Sequence, residues 1–160
     1  RVGEIGDWKA GATPARSKPE YYVGGTIPWL LTGDLNDSIV DNISNNITEL
    51  ALKECSVRLN PAGSILVAMY GATIGKIGVL GIPATTNQAC CACILHDEGI
   101  REWLMIWLSF YKPLFIKLGM GGAQPNISRT IIVSRILPVP PFEEQRRIVE
   151  KVRKALTTIG

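Results

Sequence analysis

The residues nearest to chemistry are Gly71, Gly75 and Lys76, in the run Ala68-Met69-Tyr70-Gly71-Ala72-Thr73-Ile74-Gly75-Lys76. Glycines followed by a lysine are the parts of a phosphate cradle, where bare backbone amides and an ammonium face the anion. A nucleotide loop needs four residues between its glycines, a hydroxyl after the lysine and a helix behind it. Here three residues separate Gly71 from Gly75, Ile77 follows the lysine, and KIGVLGIP carries two more glycines and a proline. Each interior glycine costs a helix about 1 kcal/mol relative to alanine, so this stretch offers no helix dipole to a phosphate. It reads as a strand, a glycine-permitted turn and a returning strand, and Lys76 needs another role.

Metal chemistry is the next candidate. The four cysteines are Cys55, Cys90, Cys91 and Cys93, with His96 close by. Zinc sites are usually built from paired motifs lying far apart in sequence. On a strand, Cys91 and Cys93 share one face and Cys90 takes the other. The cysteines read better as small buried hydrophobes, and free thiols suit a reducing cytoplasm. No metal and no cofactor is expected.

Catalysis finds little support. There is one histidine, with no G-x-S-x-G elbow and no H-E-x-x-H. The acids Asp34, Asp37, Asp41, Glu49, Glu54, Asp97 and Glu98 are scattered. Val139-Pro140-Pro141-Phe142 resembles the N-P-P-[FY] signature of amino-methyltransferases. The family's asparagine accepts hydrogen bonds from the target amino group, and valine has no side-chain acceptor. No glycine-rich cofactor loop follows a strand. The chain is expected to be non-catalytic and not to bind S-adenosylmethionine.

The elements that must position these residues form a chain of 160, about one domain. A chain this long buries roughly 70% of its unfolded surface without disulfide staples. Hydrophobic residues are 46% and charged residues 19%, a globular balance. Trp103 to Tyr111, the most apolar helical stretch, falls short of the ~20 residues that span a bilayer. No secretory signal is visible, and the first residue is arginine; a piece of something longer is expected. A net charge of +3 permits nucleic-acid binding without demanding it.

Residues 1–9 predict a short strand before the turn signal GATP, and 15–25 a polar loop. TIPWLLTGDL reads as extended and SIVDNI as a strand. Thr48 is a fair N-cap for a short helix over 48–57, with Leu50, Ala51 and Cys55 inward. After the turn Asn60-Pro61-Ala62-Gly63, strands are expected over 64–70, 76–81 and 84–95. Ile100, Trp103, Leu104, Trp107, Leu108 and Tyr111 recur at the helical period, a face that reads as core. Pro113 is expected to interrupt that helix and begin a second. GMGGAQPN reads as an irregular loop and TIIVSRILPVP as strand-like.

From Phe142 the sequence turns helical and charged, with Glu143 and Glu144 in a first turn where the dipole favours them. Val149, Val152, Leu156 and Ile159, spaced three, four and three, make a coiled-coil seam without a visible partner in this chain. The basic residues Arg146, Arg147, Lys151, Arg153 and Lys154 read most simply as a solvated face, with a phosphate-binding stripe as the alternative.

Taken in order, GATP, GGTIPWLLTGDL, ITELALKE, LNPAGSILVAMYGATIGKIGVLGIPATTNQAC, GGAQPNIS and LPVPPFEEQRRIV resemble a target recognition domain of a type I restriction–modification specificity subunit. The resemblance covers essentially the whole chain. It implies a mixed α/β (α+β) domain over 1–141 with a twisted, mostly antiparallel sheet. A long spacer helix would begin at 142–160 with Pro140-Pro141-Phe142-Glu143-Glu144-Gln145. It implies recognition of one half of a split double-stranded DNA target. Partners would be methyltransferase subunits, a motor-nuclease subunit, and a second recognition domain or second copy through the C-terminal helix. G-A-T-I-G-K then becomes a framework turn.

Candidate DNA contacts are the 12–22 loop with Thr13, Arg16, Lys18, Tyr21 and Tyr22. Lys76 and Arg129 suit phosphates. Gln124 and Asn126 either pair with adenine in the major groove or satisfy turns, and Asn87 and Gln88 are open to the same turn role. The rival reading is a docking module for methyltransferase subunits with little DNA binding of its own, using tryptophan-lined or seam surfaces.

Overall fold

Sixteen glycines and ten prolines in 160 residues cut the chain into short elements. The structure, a computed structural model, describes the backbone of residues 1–120 and 125–159 and side chains as far as 157. In chain order the elements are β1 Gly6–Ala10, β2 Ile27–Leu30, β3 Ile39–Val40, β4 Asn46–Ile47, α1 Glu49–Glu54, β5 Ile65–Ala68, β6 Ile77–Leu80, β7 Thr85–Thr86, β8 Cys90–Leu95, α2 Arg101–Gly119, α3 Arg129–Val133 and α4 Phe142–Ile159.

Five strands form the main sheet in the order β1-β8-β5-β6-β3, and β4-β2-β7 form a small second one. In the main sheet only β3 joins its neighbour in parallel; the other pairings are antiparallel. Val67 lies opposite Cys91 and Ile65 opposite Cys93, while Leu66 faces Ala92 and Ala68 faces Cys90. Alternation therefore sends Cys91 and Cys93 into one core and Cys90 into the other. Both faces are covered, which is why Ile65-Leu66-Val67-Ala68 is apolar throughout instead of alternating.

The first core is closed by α2 through Leu104, Trp107, Leu108 and Phe115, with Trp8 and Ile132 beside them. Each such side chain contributes roughly 1.5–3 kcal/mol on burial. The second core holds Leu30, Leu35, Val40 and Leu80. A third packs Tyr21, Trp29 and Ile47 against Ala51 of α1. Thr48 caps that helix as expected, its hydroxyl accepting from the Ala51 amide at 3.3 Å, but Leu50 points outward.

Further expectations are corrected, and the strand expected over 84–95 is two, β7 and β8. Pro113 does not interrupt α2, which runs through it to Gly119. Pro113 sits on the exposed side, and Phe115 beyond it is fully buried, so packing on both sides of the proline holds the helix together. The Thr130–Val133 run is helical, not strand-like, because the Ser128 hydroxyl caps it by accepting from the Ile131 amide at 3.2 Å. Only the start of the α4 seam meets a partner in this chain, α2. Val149 is buried, and Arg153 pairs with Glu102 of α2 at 2.6 Å. Val152 is half-buried and Leu156 is 67% exposed, while the side chain of Ile159 lies outside the described residues. Arg146 and Arg147 pair with Glu143 and Glu144 one turn back, as a solvated face would. Among the described residues no helix is long and apolar enough to cross a membrane.

Candidate nucleic-acid interface

Strand register gathers four chain segments at one end of the main sheet. Ala10 lies opposite Cys91, Ala68 opposite Cys90, and Val67 opposite Ile77. The end of β1, the end of β5, the start of β6 and the start of β8 therefore meet. The Gly11 amide donates to the Cys90 carbonyl at 2.9 Å, and the Thr13 hydroxyl donates to Gln88 Oε1.

The Gly71–Gly75 turn sits on this end. Gly71 has φ 63° and Gly75 φ 79°, left-handed values that explain why glycine occupies both corners. The segment after α2 docks onto the turn. The Gly71 amide donates to the Pro125 carbonyl at 2.9 Å, the Ile127 amide to the Met69 carbonyl at 2.8 Å, and Asn126 pairs with Tyr70 as a lone bridge. The GATIGK motif and the Pro125-Asn126-Ile127 segment, some 50 residues apart, thus build one ledge, with Tyr70 44% exposed on it.

The candidate residues divide by place. Thr13, Lys76 and Asn126 lie on the ledge. Arg16 and Lys18 are exposed on the loop that leaves it. Tyr21 and Tyr22 hold that loop by packing: the Tyr21 hydroxyl donates to Glu54 at 2.7 Å and receives Lys18 Nζ at 3.0 Å. The Tyr22 hydroxyl donates to the Pro14 carbonyl, and its ring meets Trp29 edge-on at 5.8 Å. Arg129 stands at the outer edge of β1, donating to the Trp8 carbonyl at 3.2 Å. Gln124 lies outside the described residues. Tyr70 on the turn, Gln88 beside Thr13 and Lys117 in the last turn of α2 lie at this end too, and the sequence reading did not name them as DNA contacts. An aromatic directly before a glycine turn was the one signal for Tyr70.

The far end of the sheet is close to neutral: Glu4 pairs with the N-terminus, Asp7 with Arg58, Glu98 with Arg101 and Glu102 with Arg153. The ledge carries Lys76, with Lys117 in the last turn of α2 and Arg16 and Lys18 on the loop.

The thiols sit apart from the ledge chemistry. Burial pushes Cys90 far up, and Cys91 and Cys93 up to about 12. Folded protein at neutral pH is therefore expected to label with a thiol-specific reagent only at half-buried Cys55, and peptide mapping will check it.

The family model described as type I restriction modification DNA specificity domain matches residues 1–159. The chain belongs to this family. It is 34% identical over 158 residues to the type I restriction enzyme EcoR124I/EcoR124II specificity subunit of Escherichia coli, covering 96% of this chain and 39% of that protein. It is 35% identical over 154 residues to the MjaIX specificity subunit of Methanocaldococcus jannaschii, covering 92% of this chain and 35% of that protein. This specificity domain thus spans less than two fifths of either relative. The HsdS subunit from Thermoanaerobacter tengcongensis superposes with a TM-score of 0.74 at 24% identity, over 99% of this chain and 37% of that one, a likeness of fold. The mixed α/β architecture expected from the resemblance is the architecture found.

Proposed function

We propose that this specificity domain reads one half of a bipartite double-stranded DNA target, as part of the specificity subunit of a type I restriction–modification complex, with no catalysis of its own. The observation that carries the reading is the ledge, where exposed polar groups and lysines converge on one basic end of a family member's sheet. Phosphate contacts orient such a domain and base-edge contacts specify the sequence. Arg16, Lys18, Lys76 and Arg129 take phosphates; Thr13, Gln124 and Asn126 reach base edges; Tyr21 and Tyr22 hold the loop. Residues 1–141 form the reading unit, and 142–160 begin the helix that meets a second recognition domain or a second copy. Methyltransferase and motor-nuclease subunits complete the cytoplasmic complex and supply the chemistry.

Selection from a random duplex library at low salt tests this. A short fixed motif is expected in the retained fraction. Lys76→Gln is expected to keep that motif while lowering the slope of log K against log salt by about 0.9, one phosphate's worth. No retention at any salt sinks the DNA reading. One observation favours a second role for the domain. Trp103, Ile106, Phe110, Ile136 and Ile148 line an apolar groove of about 490 Å³ between α2 and α4, with Phe110 79% exposed. Exposed apolar patches of this kind mark protein contacts. A domain that only docks would show neither motif nor salt slope.

A further inference from the structure

Asp37 lies ahead of β3 in an unusual conformation and joins three elements. Its φ is 62°, the one left-handed non-glycine among the described residues. Its amide donates to the Ile77 carbonyl at 2.9 Å, and its Oδ1 accepts from the Ile77 amide at 3.0 Å. Its Oδ2 accepts from Lys112 Nζ of α2 at 2.6 Å. Ile77 directly follows Lys76, and α2 passes so close to the turn that a Cβ on Gly75 would stand 3.0 Å from Lys112 Cγ. The carboxylate therefore sits beside the basic ledge, bonded to Lys112 and near enough to Lys76 to feel its charge. Partial burial pushes Asp37 up, yet Lys112, the Ile77 amide and Lys76 together hold it below the ordinary carboxylate range. It is ionised at neutral pH.

Why place a carboxylate where phosphates are to bind? Each phosphate that a protein neutralises releases counterions and raises affinity for every sequence alike. A domain that must prefer one short sequence gains nothing from charge that binds all DNA equally. Resting on the DNA reading above, we propose that Asp37 is an internal counter-charge that cancels Lys112, so that the ledge engages DNA with one fewer effective positive charge and non-specific affinity stays low. Asp37 tunes the binding surface from within and contacts no base. The pair is neutral as a unit, so its two members must have opposite effects when removed singly and no net effect when removed together.

The test is a charge cycle on wild type, Asp37→Asn, Lys112→Gln and the double variant. Asparagine is the replacement that tolerates a left-handed φ, and its amide oxygen can still accept from Ile77. Binding to a duplex lacking the selected motif is read by fluorescence anisotropy between about 50 and 200 mM salt. Thermal melting confirms that each variant is folded. Asp37→Asn is expected to bind more tightly and to steepen the slope by about 0.9, an extra threefold to fourfold change across that salt range. Lys112→Gln is expected to bind more weakly, because it leaves the carboxylate uncancelled. The double variant is expected to return to the wild-type slope. A folded double variant that binds more weakly than wild type makes Lys112 a direct phosphate contact and overturns the proposal. A folded Asp37→Asn that binds no more tightly makes Asp37 purely architectural and overturns it as well. Should neither wild type nor Asp37→Asn retain any duplex at low salt, the DNA reading itself falls and this inference falls with it.

Discussion

Gly11→Ala is expected to lower the melting temperature by roughly 10 °C and to weaken DNA retention with it. A Cβ at Gly11 would overlap the carbonyl oxygens of Thr86 and Asn87 and the Thr86 hydroxyl. Two of the three are backbone atoms, so no rotamer change relieves the clash. The strands must separate, and three bonds are at stake. The Gly11 amide donates to Cys90 at 2.9 Å, the Ala12 amide to Thr86 at 3.0 Å, and the Trp29 indole to the Ala12 carbonyl at 3.2 Å. These join the main sheet to the small one at the foot of the ledge. Overpacking costs about 1–3 kcal/mol and each lost bond about 1 kcal/mol, giving about 4–6 kcal/mol if all three bonds go. At about 2–4 °C per kcal/mol for a domain of this size, the expected shift follows. Gly33→Ala is the control. A Cβ there meets nothing within 4 Å, and its change should stay within about 0.5 kcal/mol. Circular-dichroism melting of both variants checks the contrast; equal melting temperatures would remove Gly11 from the framework.

What the sequence made legible depends on how local the deciding interaction is. Thr48 caps α1 three residues away, and the alternation of Cys90, Cys91 and Cys93 follows from strand geometry alone, so both could be read directly. The glycine turn was legible for the same reason, since its corners need left-handed backbone. Pro113 was misread because the local rule against proline is outweighed by Phe115 and Trp107, which anchor the helix on either side. The β-branched run Thr130-Ile131-Ile132-Val133 carries strand propensity, and a single serine cap decided otherwise. The expected strand over 84–95 divides at a turn closed by the Cys90 amide and the Asn87 carbonyl at 3.1 Å. The ledge itself was illegible as an assembly. Each motif was visible, yet the pairing of Tyr70 with Asn126, or of Asp37 with Lys112, depends on contacts across 56 and 75 residues. No periodicity within either segment encodes those contacts.

Arg58→Ala is expected to cost about 3–4 kcal/mol, although nothing in the residues around Arg58 singles it out. Its side chain is 17% exposed and donates in four directions. Nε reaches Asn60 Oδ1 at 2.8 Å, Nη1 reaches Asp7 Oδ2 at 2.8 Å, and Nη2 reaches the carbonyls of Ala92 at 3.1 Å and Asp7 at 3.4 Å. It therefore ties β1 to β8 and to the segment that leads into β5. Asn60 is buried in turn, and its amide donates to the carbonyls of Arg58 and Ala84. The Asp7 carboxylate is 68% exposed, so the ion pair contributes at most about 1 kcal/mol. The larger share comes from the enclosed Asn60 Oδ1, which loses its donor at about 1–3 kcal/mol, and from the second bond lost at the Ala92 carbonyl, about 1 kcal/mol. Two consequences separate this account from a simple surface ion pair. Asp7→Ala should cost less than about 1 kcal/mol, because it leaves the enclosed acceptors satisfied. Arg58→Lys should recover little, because one ammonium cannot reproduce a planar fork aimed at acceptors on three segments. Urea titration of the three variants decides the matter: if Asp7→Ala matches Arg58→Ala, the guanidinium acts through its charge, and the role of the enclosed acceptors is wrong.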